Sequence, residues 1–315
     1  MIPHDRLSRN TAQPGQAPIT QFRCDTLDLT HQPRYMPAMA EALDIGLPFM
    51  KMHGLGNDFV VVDARMREIP ISPDLARALG DRHRGVGFDQ LAVISKGAGD
   101  AHLTFYNSDG STSAACGNAT RCIARHLMDE TGVAKLHLTT DRGDLFARDE
   151  GRGITSVNMG LPQVDWHEIP LAREMDTLHL PIQGDPVATG MGNPHCTFFV
   201  DDVAAVDLET FGPDHEHHSL YPERTNVQVA QLVGSDHIRM RVWERGVGVT
   251  LASGSSSCAV AVAAVRRGLT DRQVRIDLDG GTLQVNWAED GVWMTGPTAH
   301  VFSGTLTPAF LADLT

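Results

Sequence analysis

The chain has 315 residues, of which 42% are hydrophobic and 21% charged, a globular balance with enough length for about two ordinary domains. Its 26 Lys and Arg against 39 Asp and Glu leave a formal charge of −13, which opposes electrostatic binding to nucleic acid or to anionic lipid. No apolar run approaches the roughly 20 residues of a membrane helix, so the expected partner is a small molecule, with no nucleic acid and no membrane.

Residues 1–48 mix Pro, Gln, Thr and offsetting charges without a secretory h-region, and are expected to form a flexible N-terminal extension. The globular pattern begins at Leu47-Pro48-Phe49-Met50, followed by a short buried strand at Phe59-Val60-Val61-Val62-Asp63. Further strand-like runs are Leu103 to Tyr106, Thr197 to Val200, Ile238 to Trp243 and Leu283 to Trp287. Two segments read as helices launched from glycine-containing turns. One starts at Gly117-Asn118 and ends at Gly132; the other starts at Gly254-Ser255, is apolar nearly all round and ends at Gly268. Their launch points, Cys116 and Ser253, suit equivalent positions in two half-proteins, although internal repetition is otherwise faint.

Five cysteines, Cys24, Cys116, Cys122, Cys196 and Cys258, lack disulfide or zinc-ribbon spacing, which points to reduced thiols and a cytoplasmic location. The cluster Asp214-His215-Glu216-His217-His218 resembles a metal site, but its spacing fits no standard one and a loop of solvated side chains explains it, so no metal is expected. Gly54-Leu55-Gly56, Gly85-Val86-Gly87 and Gly246-Val247-Gly248 never complete a dinucleotide fingerprint, and the three lysines lie outside any phosphate-cup context, so no cofactor is expected. Glu244-Arg245, at a strand end before a glycine turn, suits either a clamp for an amino acid or, more commonly, a surface ion pair. Cys116 is more specific. A thiol immediately before a helix start feels the positive end of the macrodipole, which predicts a pKa below about 8.5 and a role as a base, while the same N–H groups hold a carboxylate. Cys122 reads as structural.

Four blocks, His53-Gly54-Leu55-Gly56-Asn57-Asp58-Phe59, the segment Asn107 to Cys122 around Cys116, Gly192-Asn193-Pro194-His195 and Trp243-Glu244-Arg245-Gly246 with Thr250, together resemble the signatures of the diaminopimelate epimerase family, in the family's order and over residues 49 to about 303. The resemblance implies an isomerase that interconverts LL- and meso-diaminopimelate in lysine and peptidoglycan precursor synthesis without pyridoxal phosphate. It implies an α/β fold of two similar half-domains, each a curved mixed sheet wrapped around a central helix, with the site in the cleft between them. The expected halves are 49–163 plus about 300–315, and 164–299, assembled as a homodimer. Carried over by position, Cys116 is one acid/base thiol. Gly117, Asn118, Gly254 and Ser255 supply helix N-termini for the reacting carboxylate. Asn57, Gln90, Asn107, Asn193, Asn226, Glu244 and Arg245 bind the rest of the substrate, and His195 lines the site.

One departure stands out. Where the family reads Ala-Cys-Gly-Thr-Gly-Ala, this chain reads Ala252-Ser253-Gly254-Ser255-Ser256-Ser257, so Ser253 occupies the position of the second thiol and Ser256 that of a glycine. A hydroxyl is a weaker acid and base than a thiol. Cys258 lies about 140° further round an ideal helix and is not a simple replacement. A racemase or one-base eliminating enzyme for another amino acid, or a catalytically impaired amino-acid-binding homologue, are the alternatives.

Overall fold

A computed structural model describes residues 46–314. The extension expected over residues 1–48 lies outside them except at its end, where Leu47 and Pro48 already belong to the first strand. Strands β1 (Leu47–Gly54) and β2 (Asn57–Asp63) form a hairpin whose two linking residues, Leu55 and Gly56, both take positive φ (58° and 87°). That is the turn whose twist matches the strands it joins. Then follow α1 (Pro73–Gly80), β3 (Gln90–Ser95), β4 (Ala101–Asn107), β5 (Thr112–Ser113), α2 (Gly117–Thr131), β6 (Lys135–Thr140), β7 (Gly143–Gly151) and β8 (Ile154–Asn158).

The order then repeats. It runs β9 (Val187–Gly190), β10 (Pro194–Phe199), α3 (Leu208–Glu216), β11 (Asn226–Gly234), β12 (His237–Glu244), β13 (Gly248–Thr250), α4 (Gly254–Arg266), β14 (Gln273–Leu278), β15 (Gly281–Ala288) and β16 (Gly291–Pro297). The ladders repeat with it. β2–β3 and β4–β6 are parallel, as are β10–β11 and β12–β14, whereas β1–β2, β3–β4, β6–β7 and β7–β8 are antiparallel, as are β9–β10, β11–β12, β14–β15 and β15–β16. The duplication that is faint in the sequence is therefore plain in the topology. β17 (Ala299–Leu306) returns to pair antiparallel with β1, and α5 (Pro308–Ala312) follows it. β8 and β16 pair antiparallel and join the two repeats.

Each repeat wraps its sheet around one helix. α2 lies against β1, β2, β3, β6, β7 and β8, and α4 against β9, β10, β11, β14, β15 and β16. α4 can be enclosed because its Ala, Val and Ser side chains are small enough for strands to approach from every side, and residues 256–264 are all buried. Gly132 ends α2 in the left-handed conformation (φ 74°), donating its N–H to Met128 O. One continuous apolar core runs through both repeats, from Phe59, Phe105 and Ile123 to Ile238, Val260 and Leu283. Two outer clusters cover the far faces. α1 and Leu311 pack on Val60, Val62 and Leu91, and α3 with Ile169, Leu171 and Tyr221 packs on Phe198, Val227 and Val229.

Candidate active site

The two helices point their first turns at one another. Cys116 and Ser253 are their N-caps, both extended (φ −145° and −134°). A Cβ built on Gly117 would touch Met159 Sδ at 2.6 Å and Met294 Cε at 3.1 Å, and one on Gly254 would touch Met294 Sδ at 2.8 Å and Asn118 Oδ1 at 3.3 Å. Both helix starts press on the Met294 thioether, which a side chain at either glycine would have to push aside. The first intrahelical bonds run from Thr120 N–H to Cys116 O (2.9 Å) and from Ser257 N–H to Ser253 O (3.1 Å). The amides of residues 117–118 and 254–256 precede them, so each helix presents donors backed by about half a positive charge.

The caps differ. Cys116 Sγ accepts from Ala119 N–H at 3.5 Å and so caps its own helix. Ser253 makes no cap bond; its hydroxyl instead donates to Glu244 Oε2 at 2.9 Å, and Thr250 donates to Glu244 Oε1 at 2.6 Å. Glu244 therefore turns inward and makes no pair with Arg245, whose guanidinium donates to Glu223 O (3.0 Å), so the surface ion pair expected for this dipeptide does not form. Burial raises the Glu244 carboxyl above its usual range of about 4.5, against the two hydroxyl donors. The lowered pKa expected for Cys116 is also overturned. Burial pushes its thiol up to about 12, the Ala119 and Asn118 amides offset only part of that, and the Glu244 carboxylate adds to it. The helix start acts as foreseen, but desolvation outweighs it. Cys122 and Cys258 are fully buried in their helices, their thiols likewise pushed up to about 12.

The other candidate residues fall into two groups. Asn118 donates to Asn57 Oδ1 (3.1 Å) and accepts from Arg121 Nη1 (3.0 Å), while Asn57 donates to Asp89 Oδ2 (2.8 Å). Beside them Gln90 donates to Asn107 Oδ1 (3.0 Å) across β3–β4. In the second repeat, Asn226 accepts from Arg245 N–H (3.0 Å) and donates to Pro194 O (3.0 Å), tying two site loops together. His195, expected to line the site, is instead fully buried behind Asn193, its ring nitrogens engaged by Asn193 Oδ1 (2.8 Å) and Gln228 Nε2 (2.9 Å). Ser255 is partly exposed at the mouth of its helix. Two open grooves, of about 780 Å³ beside Arg272 and Trp287 and about 620 Å³ beside Arg77 and Phe310, lie away from all of these residues.

The sequence profile described as "Diaminopimelate epimerase" matches residues 49–164 and 187–301. The curated diaminopimelate epimerase of Rhodospirillum centenum is 52% identical over 84% of this chain and 93% of its own length. The chain belongs to the diaminopimelate epimerase family. That of Acidiphilium cryptum is 51% identical, over 84% of this chain and 98% of its own. Among solved structures, a hydroxyproline epimerase from Agrobacterium vitis superposes with a TM-score of 0.61 at 13% identity, covering 82% of this chain and 92% of that one. A phenazine biosynthesis protein of the PhzF family from Bacillus anthracis gives 0.60 at 15%, covering 82% and 98%. These two share the fold.

Within this diaminopimelate epimerase family member, several residues that shape the site carry no local signal in the sequence. Glu216, read with its histidine neighbours as a metal-like cluster or a solvated loop, is the end of α3 and only 3% exposed. Its carboxylate accepts from Trp243 Nε1 (2.7 Å) and Gly246 N–H (2.9 Å), holding the turn after Glu244, whereas His215 turns to Phe211 O (2.8 Å). Arg142, in the β6–β7 turn, hydrogen-bonds Met191 O and covers Gly192, whose φ of 80° and missing Cβ admit it. The matching β14–β15 turn brings Gly280 against Leu55 O. Each repeat thus leans a turn on the loop that introduces Asn193 or Asn57 in the other.

Proposed function

We propose that this protein interconverts LL- and meso-diaminopimelate, with Cys116 serving one face of the α-carbon and Ser253, backed by Glu244, the other. The observation that carries the reading is that Cys116 and Ser253 cap topologically equivalent helices whose first turns meet at Met294. A substrate α-carboxylate taking the free amides of both first turns has its α-carbon between the thiol and the hydroxyl, and the same donors stabilise the enolate-like charge formed when the proton leaves. Gly117, Asn118, Gly254 and Ser255 provide that cradle, and Asn57, Gln90, Asn107, Asn193, Asn226 and Arg245 bind the remaining polar groups.

Proton balance follows from the two raised groups. Burial raises both groups, and the site's one negative charge is placed on Glu244, a carboxyl being by nature a stronger acid than a thiol, with Cys116 protonated. Ser253 Oγ takes the α-proton as its own proton passes to Glu244 Oε2, and Cys116 delivers its thiol proton to the opposite face. The site is left with a Cys116 thiolate and protonated Glu244, the state that runs the reverse direction. Glu244 thereby supplies the basicity a hydroxyl lacks.

The reaction proceeds without pyridoxal phosphate; Lys96 and Lys135 are exposed, and Lys51 is bound to the Asp58 carboxylate and Gly87 O. We assign residues 49–163 with about 300–315 to one half-domain and 164–299 to the other. The enzyme acts in the cytoplasm as a homodimer; exposed Val301 and Phe302 on edge strand β17 are consistent with a self-association face. Incubation with LL-diaminopimelate in deuterium oxide tests the reading. Solvent deuterium at the α-carbon together with appearance of the meso isomer is expected, and no exchange with either isomer would leave an amino-acid-binding homologue.

A further inference from the structure

We infer that Gln228, held by Ser256 and Thr197, is a positioning residue that fixes His195 with its proton on Nε2 and thereby turns the Asn193 amide N–H groups toward the substrate. The inference rests on the epimerase reading above. His195, Thr197, Gln228 and Ser256 are each 0% exposed, on β10, β11 and the first turn of α4. Gln228 Nε2 donates to Ser256 Oγ at 3.0 Å and to His195 Nδ1 at 2.9 Å, and Gln228 Oε1 accepts from the Thr197 hydroxyl at 3.2 Å. A primary amide nitrogen has two protons, and here both are spent. Nδ1 of His195 is therefore an acceptor, and Nε2 carries the proton that it donates to Asn193 Oδ1 at 2.8 Å. With its oxygen held by His195, the half-buried Asn193 amide is fixed in orientation and keeps its N–H groups for a ligand, the polarity a carboxylate requires.

His195 itself stays uncharged. Burial pulls its pKa down to about 3, and the charged groups acting on it, Arg245 and Arg142, work in the same direction. What the protein sets at this ring is therefore the tautomer, by way of the partner on the other nitrogen. Ser256 stands where the family pattern has glycine. A glycine there would leave a Gln228 N–H without a partner in a dry interior, so the altered turn and Gln228 form one arrangement.

Gln228→Glu is isosteric and reverses the donor. A carboxylate accepts from Nδ1–H, which moves the proton off Nε2 and lets the ring charge near neutrality. In the wild-type protein, imidazole ¹⁵N NMR is expected to show neutral His195 with Nε2–H from about pH 5 to 9. In Gln228→Glu it is expected to show Nδ1–H or the charged ring. There kcat/KM should fall on the order of tenfold and gain a titration additional to those of the wild type, while Ser256→Gly should fall by less. A wild-type Nδ1–H tautomer, or a Gln228→Glu variant with Nε2–H and the wild type's kcat/KM and pH profile, would overturn the inference. Because the tautomer is read without substrate, a wild-type protein inactive on diaminopimelate but carrying Nε2–H would overturn the assigned reaction and not the Gln228–His195 arrangement.

Discussion

Replacing Ser253 by alanine removes one oxygen, and little else, from the wall opposite Cys116. The side chain is 4% exposed, and its hydroxyl has one carboxylate acceptor, Glu244 Oε2 at 2.9 Å. Glu244 keeps the Thr250 hydroxyl at 2.6 Å, so the structural loss is a single hydrogen bond to a carboxylate, about 1.5–3 kcal/mol, and the fold should survive. The kinetic loss is of another size. If Oγ relays the proton, its removal takes away general acid–base catalysis on one face, a fall of about 10²–10⁴ in kcat. Ser253→Cys should behave oppositely. Burial pushes the four described thiols up to about 12, and one at 253 beside Glu244 meets the same environment, so it stays protonated and still hands its proton to the carboxylate. Activity at or above the wild type is expected. The assay is deuterium incorporation and isomer conversion from each diaminopimelate stereoisomer, alongside thermal unfolding. A Ser253→Ala variant that folds and keeps kcat within tenfold of the wild type would refute the relay.

Glu244→Gln should cost activity by a similar factor yet stabilise the protein at neutral pH. A carboxyl raised above 4.5 in the fold contributes stability at low pH that is lost as pH rises through its folded value, and the amide removes that loss; a lower neutral-pH melting temperature in the variant would count against this sign. Alkylation of Cys116 by iodoacetamide should climb steadily into alkaline pH and be blocked by substrate, with Cys122 and Cys258 slower; a plateau with a midpoint below about 8.5 would contradict the role assigned to burial. Gly192→Ala forces a side chain onto a φ of 80° and into the Arg142 guanidinium, costing about 1–2 kcal/mol from the backbone alone and raising KM through Asn193, checked by calorimetry and kinetics. Asp277 is held at about 2, against 3.8 in the unfolded chain, with Thr282, His237 and Arg275 as donors. Its contribution, about 1 kcal/mol after solvent screening, is full above about pH 4 and lost toward pH 2, so urea unfolding should separate Asp277→Asn from the wild type at pH 7 and not near pH 2.

Both central helices were legible because glycine punctuation, apolar runs and small residues are local signals, and Cys116 and Ser253 are indeed their caps. The sequence runs mark only some of the strands, leaving β3, β11 and β16 among those without one, and they under-measure the strands they mark. Leu103 to Tyr106 grows to Ala101–Asn107 because pairing with β3 and β6 recruits flanking residues that have no strand character of their own. Burial could not be read. It reverses the sign expected at Cys116, and it converts Glu216 from one member of a charged run into the support of a turn 30 residues later. Gln228 is invisible for the same reason: its partners, His195 and Ser256, lie 33 and 28 residues away.

The β8–β16 ladder has a mechanical consequence. With β17 counted with β1, it is the one strand pairing between the repeats among the described residues, running from Trp293 opposite Asn158 to Pro297 opposite Ile154, and it is extended by the Met159–Val292 and Val292–Gly160 backbone bonds. Besides the shared apolar core and the helix starts that meet at Met294, the repeats touch through Arg142 on Gly192 and Leu55 on Gly280, turns resting on turns. Parting those turns costs less than unzipping a row of backbone hydrogen bonds or splitting the shared core, so a loosening of the two repeats at the turns would pivot on this ladder. The same ladder carries Met294 and leads into Met159, the side chains against which Gly117 and Gly254 are set, so the seam that joins the repeats also sets the spacing of the two helix starts.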